Sequence, residues 1–310
     1  MRKLFILVVV LFFCIGSNLF SKESNWSFEL ETASHIMWGT TGEYVYEQTD
    51  TDSYKKLSYL EWETKPIFVQ DFKSSVQYKH LKFSTLFAFG FPAECGYMYD
   101  SDWEDYTVQN CFSKSTNDLD SYFKMEGTIS YAFEISRFHV LPFVSVGYRD
   151  VSFKGHDGYG LYADKGKSYT TASRPYTFTG EVIGYETFGV QSWLGLTAQY
   201  TIGKVQFGIS GACLPFQLLY CVDNHYVTKT DYLDIVTGFF CGAKGECSVA
   251  YHFTDFCTVS LGATAERAFK IKGDSYAKKS SYTVYSKISN ARGAYEYAEY
   301  GFFASLKVHF

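Results

Sequence analysis

Hydrophobic and polar residues alternate with period two through almost the whole chain after its first two dozen residues. The closing segment is the clearest case. Tyr300, Phe302, Ala304, Leu306, Val308 and Phe310 fall on one face, and Gly301, Phe303, Ser305, Lys307 and His309 on the other. Val259, Leu261, Ala263 and Ala265 alternate in the same way with Thr258, Ser260, Gly262 and Thr264. Successive side chains of a strand point to opposite faces, so this spacing predicts strands with one apolar and one mixed face. Ten strands are predicted, over about 26–46, 56–78, 82–92, 119–134, 138–153, 182–201, 204–222, 233–253, 257–270 and 296–310. Short connections centre on His80, Ser136, Gly203 and Asp255; longer ones cover 47–55, 93–118, 154–181, 223–232 and 271–295.

One long apolar run exists, Leu4 to Gly16, preceded by Arg2 and Lys3 and followed by Ser17 and Ser21. It is shorter than the roughly 20 apolar residues a spanning helix needs. It reads as a secretory signal peptide over residues 1–21, with cleavage near Ser21. A lipoprotein anchor at Cys14 is the competing reading, and the bulky Phe12-Phe13 pair argues against it. For an exported chain, an even strand count with tight turns at one end and long loops at the other is the pattern of an outer-membrane barrel. Only closed barrels let strands satisfy every backbone group in lipid. The fold expected for residues 22–310 is therefore all-β: one ten-stranded antiparallel transmembrane β-barrel with long extracellular loops and short periplasmic turns. Its place would be the outer membrane of a double-membraned bacterium. A soluble barrel or sandwich leaves the signal, the aromatic faces and the turn asymmetry unexplained together.

Composition agrees. The 310 residues include 27 Tyr, 29 Phe and 5 Trp but only 5 Pro. That excludes disorder, and the aromatics suit the girdles of a barrel. A formal charge of −5 gives no reason to expect nucleic acid as a partner. Beyond the signal stand Cys95, Cys111, Cys213, Cys221, Cys241, Cys247 and Cys257, an odd number, so at least one is free or pairs between chains. Their spacing is not that of a zinc site. Cys95 and Cys111 could close a loop, since export permits a disulfide. Cys213 and Cys257 are expected as buried strand cysteines acting as small hydrophobes.

Loop parity brings candidate chemistry to one rim. With the short turns periplasmic, 93–118 and 223–232 both emerge at the outer mouth. The first carries Asp100 and Asp102, the second Asp223 and His225, each pair at i and i+2 and so on one face if extended. Adjacent carboxylates raise one another's pKa, and an Asp beside a His orients and charges the imidazole. Facing each other, the two pairs could hold and deprotonate a water. The plainer alternative is a set of solvated loop residues. No His-Glu-x-x-His occurs and one His lies near these carboxylates, so no metal is expected.

Further motifs accompany them: Gly42-Glu43-Tyr44-Val45-Tyr46, Ser58-Tyr59-Leu60-Glu61-Trp62, Asp100-Ser101-Asp102-Trp103, Gly147-Tyr148, Ile183-Gly184-Tyr185, Gly195-Leu196-Thr197, Asp223-Asn224-His225-Tyr226 and the strand to Phe310. In order and spacing the chain resembles the omptin family of ten-stranded outer-membrane proteases. The resemblance implies that Asp223 and His225 activate a water, with Asp100 and Asp102 as the facing pair. It implies attack on a peptide carbonyl without an acyl-enzyme, metal or other cofactor. Glu43 matches a family carboxylate that contacts the basic side chain before the cleaved bond, the alternative being a solvated glutamate at a strand end. The family's second carboxylate there falls at Cys221, which implies a less acidic pocket. Cys221 as a nucleophile would need a lowered pKa, of which the sequence gives no sign.

Omptins bind lipopolysaccharide through outward basic residues. Around Tyr148 and Asp150, the weak lipid-binding candidates, the expected Arg is shifted or missing, and Phe188 and Phe239 stand where cations are expected. Activation by lipopolysaccharide is thus not supported here, although outer-membrane lipid remains an expected partner. Lys272, Lys278, Lys279, Lys287 and Arg292 make the last long connection basic, which reads as a solvated loop or as a surface for acidic polymers. The function expected is an endopeptidase acting on peptides or proteins at the cell surface, next to a basic residue. The alternative is a non-catalytic barrel: an adhesin or surface antigen, or a narrow porin.

Overall fold

A computed structural model describes residues 25–49 and 53–310; the signal peptide read at 1–21 lies outside the described residues. The strands are β1 (Trp26–Gln48), β2 (Tyr54–Tyr78), β3 (Leu81–Gly90, continued by Ala93–Asp102), β4 (Cys111–Tyr131, continued by Phe133–Ile135) and β5 (Phe138–Tyr162). They continue as β6 (Arg174–Ile202), β7 (Val205–His225), β8 (Thr230–Phe239, continued by Gly242–Thr254), β9 (Cys257–Lys279) and β10 (Ser286–His309). Each pairs antiparallel with the next, and β10 returns to β1 in an unbroken ladder from Glu29↔His309 to Glu47↔Ala291. The ring is closed, so the sheet has no free edge. One helical turn, α1 (Tyr169–Ala172), lies between β5 and β6, capped by Ser168.

The four short connections are two-residue hairpins at Lys79-His80, Ser136-Arg137, Gly203-Lys204 and Asp255-Phe256. Lys79, Ser136 and Gly203 take φ of 54°, 60° and 59°, the left-handed backbone that lets a tight turn follow the twist of its strands. The break within β3 falls at Pro92, which has no N–H for the ladder.

The expected alternation sorts side chains between outside and inside. Ile36, Phe68, Phe83, Phe87, Val144, Val146, Leu196, Ile209, Leu261 and Phe302 are all exposed on the outer face. Trp26 against Tyr78 marks this apolar band at the short-turn end, and Trp38 stacked on Tyr300 marks it at the other. At about 3.3 Å per residue and a tilt near 40°, the run from Trp26 to Trp38 rises about 30 Å, the thickness of a bilayer's hydrocarbon core.

Strands run well past that band; β2 and β5 have 25 residues and β6 has 29. Most of what was expected as long loops is therefore strand. Among the described residues, 49, 53, 103–110, 163–173, 226–229 and 280–285 remain outside strands there. Above the lipid an outer face need not be apolar, so the pattern that reveals a strand is lost while its hydrogen-bonded ladder continues. Cys95 and Cys111 are both free, which overturns the possible disulfide. Cys95 lies opposite Asn117, six residues from Cys111 and about 20 Å away at strand rise. Cys213 and Cys257 are only partly buried rather than core residues.

Inward side chains fill the barrel. Arg149 and Lys124 pair with Glu299 at 2.5 and 2.9 Å, and Lys124 also reaches Glu266 at 3.3 Å. Above this polar layer lies an aromatic slab: Trp62 stacks on Tyr185 at 5.6 Å and on Phe153 at 5.9 Å, all three buried. This slab is the floor of the mouth.

Candidate active site

Two walls face each other above that floor. On the first, Glu43 of β1, Leu60 of β2 and Asp100 of β3 lie in one cross-strand row, with Ser58 and Asp102 paired one row higher. On the opposite wall, β7 turns Cys221, Asp223 and His225 inward, and β8 sets Asp234 beside Cys221 and Tyr232 beside Asp223. The four residues expected on loops thus sit on strands, where ladders fix them more tightly than loops would.

Asp223 and His225 are joined: Nε2 of His225 lies 2.6 Å from Oδ2 of Asp223. Asp223 is buried at 5% exposure, and its Oδ1 has no hydrogen-bond partner. The edge of the His225 ring meets Tyr232 at 5.2 Å. Burial alone would lower the imidazole pKa. The Asp223 carboxylate, helped by Asp100 and Asp102 across the mouth, outweighs burial and holds it above the ordinary histidine value. The charges of the Asp pair thus reach the dyad across the mouth.

The pair itself is shifted toward protonation. Burial, then the charge of Asp102, pushes the Asp100 carboxyl well above the usual carboxylate value, and burial raises that of Asp102. Ser58 lies between them, its Oγ 3.5 Å from Oδ1 of Asp100, and its hydroxyl favours the charged form of both. Ser58 stood in a quoted motif, but its role was not legible until the β2–β3 register placed it opposite Asp102.

Glu43 is no solvated strand-end residue. It is 2% exposed, and its Oε2 has no hydrogen-bond donor. Burial, then the charges of Asp223, Asp234 and Asp100, drives its pKa well above the ordinary value. Cys221 is buried beside it, and burial followed by the Asp234 charge raises its thiol far above the usual range, the reverse of an activated nucleophile. Nor is the pocket short of acid: Asp234, absent from the sequence reading, brings a buried carboxyl from the neighbouring strand to the level of Cys221. Counting outward from the β7–β8 turn would have paired the two.

The lipid-facing candidates lie elsewhere. Tyr148 and Asp150 share the outer face of β5, with Tyr148 Oη donating to Asp150 at 3.3 Å, while Arg149 between them points inward to Glu299. Phe188 stacks on Tyr220, and Phe239 is exposed. Of the cations near β9 and β10, Lys278 pairs with Asp231, Lys287 and Arg292 with Asp274, and Lys272 lies over Tyr46.

A family model for the omptins matches residues 24–310, nearly the whole chain. The chain belongs to the omptin family. The crystal structure of outer membrane protease OmpT from Escherichia coli aligns with this omptin at a TM-score of 0.80 and 16% identity, covering 95% of this chain and 100% of that one. At that identity the likeness concerns the fold, and it bears out the ten-stranded barrel. The translocator domain of autotransporter NalP from Neisseria meningitidis aligns at a TM-score of 0.35 and 10% identity, covering 96% and 92%. The toluene transporter TodX of P. putida gives 0.31 and 9%, covering 94% and 91%. No curated protein matches in sequence.

Proposed function

We propose that this omptin is an outer-membrane endopeptidase that cleaves peptides at its outward-facing mouth, beside a basic residue. The observation that carries the reading is the 2.6 Å Asp223–His225 pair, within electrostatic reach of Asp100 and Asp102 above a buried aromatic floor.

With Nε2 of His225 engaged by Asp223, Nδ1 is the ring nitrogen left to take a proton from a water. Asp223 would hold the ring's orientation and stabilise the imidazolium that forms, and its burial keeps that support out of solvent. Asp100 and Asp102, both shifted toward protonation, would share a proton that can be given to the departing amine after the water attacks the carbonyl. No covalent intermediate is needed, because the base acts on water rather than on a side chain. Glu43, buried with an unpaired oxygen, would receive the cationic side chain next to the scissile bond. The filled interior gives a porin no support.

The test uses the barrel refolded in lipid and fluorogenic peptides containing Arg. Wild type should cleave them. Asp223→Asn and His225→Ala should each lower kcat by about 10²–10⁴-fold while keeping the heat-modifiable mobility of a folded barrel. Equal background signal from wild type and both variants would end the protease reading.

A further inference from the structure

Resting on that reading, we infer that Asp234 is a specificity-determining residue, which with Glu43 forms a two-carboxylate pocket for the cationic side chain beside the scissile bond. The second acid comes from β8, across the ladder from Cys221.

Three observations converge on it. First, register: Asp234 stands opposite Cys221 on one side and Ser275 of β9 on the other, inside the mouth and next to the row that ends in Asp223. Second, the direction of its side chain: a Cβ built on Gly293 of β10 would overlap all three atoms of the Asp234 carboxyl. The carboxyl therefore reaches across β9 to lie on Gly293, toward β1, where Gly293 pairs with Val45 two residues from Glu43. A side chain at 293 would fill the space it uses. Third, the lack of a counter-charge: among the described residues neither Glu43 nor Asp234 has an ion-pair partner, and the side-chain hydrogen bond of Glu43 goes to another acid, Asp223. A buried acid with no cation beside it holds its proton, and an arriving cation would stabilise the charged form of both. Asp223 faces Glu43 from the opposite wall, Asp100 stands two strands away in its own row, and Ser275 gives Asp234 its hydroxyl. The nearest fixed cation whose charge reaches Cys221 is Arg149, which is itself paired with Glu299.

Cross-strand partners have Cβ atoms about 5 Å apart, within the span of a guanidinium and its bidentate contacts. A carboxyl on either strand can therefore serve one ligand. Asp234 would enter the pocket from the β9–β10 side, leaving the Cys221 thiol as a neutral wall next to the dyad.

Two measurements test it. In the first, paired peptides differ only in Arg or its neutral isostere citrulline before the cleaved bond. The ratio of their kcat/KM values should fall about ten- to a hundredfold in Asp234→Asn. The double variant Asp234→Asn/Cys221→Asp, with the carboxylate moved to the other strand, should recover most of the ratio. Heat-modifiable mobility would verify that each barrel is folded. In the second, agmatine binding is measured by titration calorimetry, and Asp234→Asn should weaken it about tenfold. A ratio unchanged within twofold in Asp234→Asn, with peptides still cleaved, would overturn the pocket and leave the protease reading standing. Agmatine binding that depends on Asp234 without any peptide cleavage would support the pocket and sink the protease reading. Agmatine binding indifferent to Asp234 would overturn the pocket in either case.

Discussion

Replacing Gly293 with Ala adds one methyl group and changes no charge, yet it should cost this omptin most of the proposed preference for a cationic side chain. The methyl would occupy the volume now held by the Asp234 carboxyl carbon and both oxygens, where ordinary contact requires at least 3.4 Å. The carboxyl must therefore retreat by about 1 Å or more. It can do so by side-chain rotation, at about 0.5–1.5 kcal/mol, because it is the end of a flexible side chain rather than backbone. Retreat takes it off Ser275 and away from the cation's place. A hydrogen bond to a charged group is worth about 1.5–3 kcal/mol, so the Arg/citrulline ratio of kcat/KM should fall by about ten- to a hundredfold. Stability in urea, followed by tryptophan fluorescence in lipid vesicles, should change little. Gly273→Ala is the contrast. A Cβ there would strike the backbone of Ile235 and Val236, which cannot step aside, so that variant should be destabilised outright. A Gly293→Ala barrel that keeps the full ratio would refute the placement of Asp234; one that unfolds would refute the claim that the carboxyl can yield.

Ser58→Ala removes a donor that favours the charged forms of Asp100 and Asp102, so the pair should take up its second proton at higher pH; the acid limb of the kcat/KM profile should move upward, and a limb that stays put or moves down contradicts the assigned role. Burial, reinforced by the Asp223 charge and opposed by Ser275, holds the Asp234 carboxyl at about 7. The folded barrel then keeps a proton the unfolded chain has lost, so this group lowers stability as pH rises from about 4 to about 7. Asp234→Asn should accordingly raise the thermal midpoint at pH 8 and leave it unchanged at pH 3.5. Trp62→Ala opens a hole in the aromatic floor and should cost about 3–5 kcal/mol in urea unfolding; a cost below about 1 kcal/mol would mean the slab does not support the mouth.

The lipid-embedded part of the fold was legible because a bilayer imposes the signal. Within the apolar band every outward residue must be apolar and every inward one is free, so Phe302, Ala304 and Leu306 betray their strand at sight. Above the band that pressure ends. Ser113, Ser115 and Asn117 are buried inward residues of β4, yet their polar alternation carries no hydrophobic signature, and the stretch read as loop. The tight turns were legible for a related reason: a hairpin between two patterned strands leaves few places to turn, and the left-handed residues fell at Lys79, Ser136 and Gly203. The two motifs at the mouth were found because i and i+2 share a face whether the segment is called loop or strand.

What one-dimensional reading missed is the other direction of the sheet. Position 221 was judged alone, and a cysteine where an acid is expected implied a weaker pocket. In a barrel, though, the neighbours of residue 221 are its ladder partners Thr187 and Asp234, not residues 220 and 222, whose side chains face away. A pocket is a patch of inward side chains spread over several strands, and a charge can be supplied from any of them if the reach is one strand spacing. Selection for a cationic side chain acts on the patch, whereas sequence comparison scores the position. The same reasoning accounts for Gly293: its lack of a side chain has no local meaning in β10, where its backbone angles would suit any residue. It becomes intelligible as the room that a carboxyl two strands away requires. A relative carrying Asp at the position of Cys221 should therefore be free of any need for glycine at the position of Gly293, a correlation between residues that are neither close in sequence nor paired in any ladder.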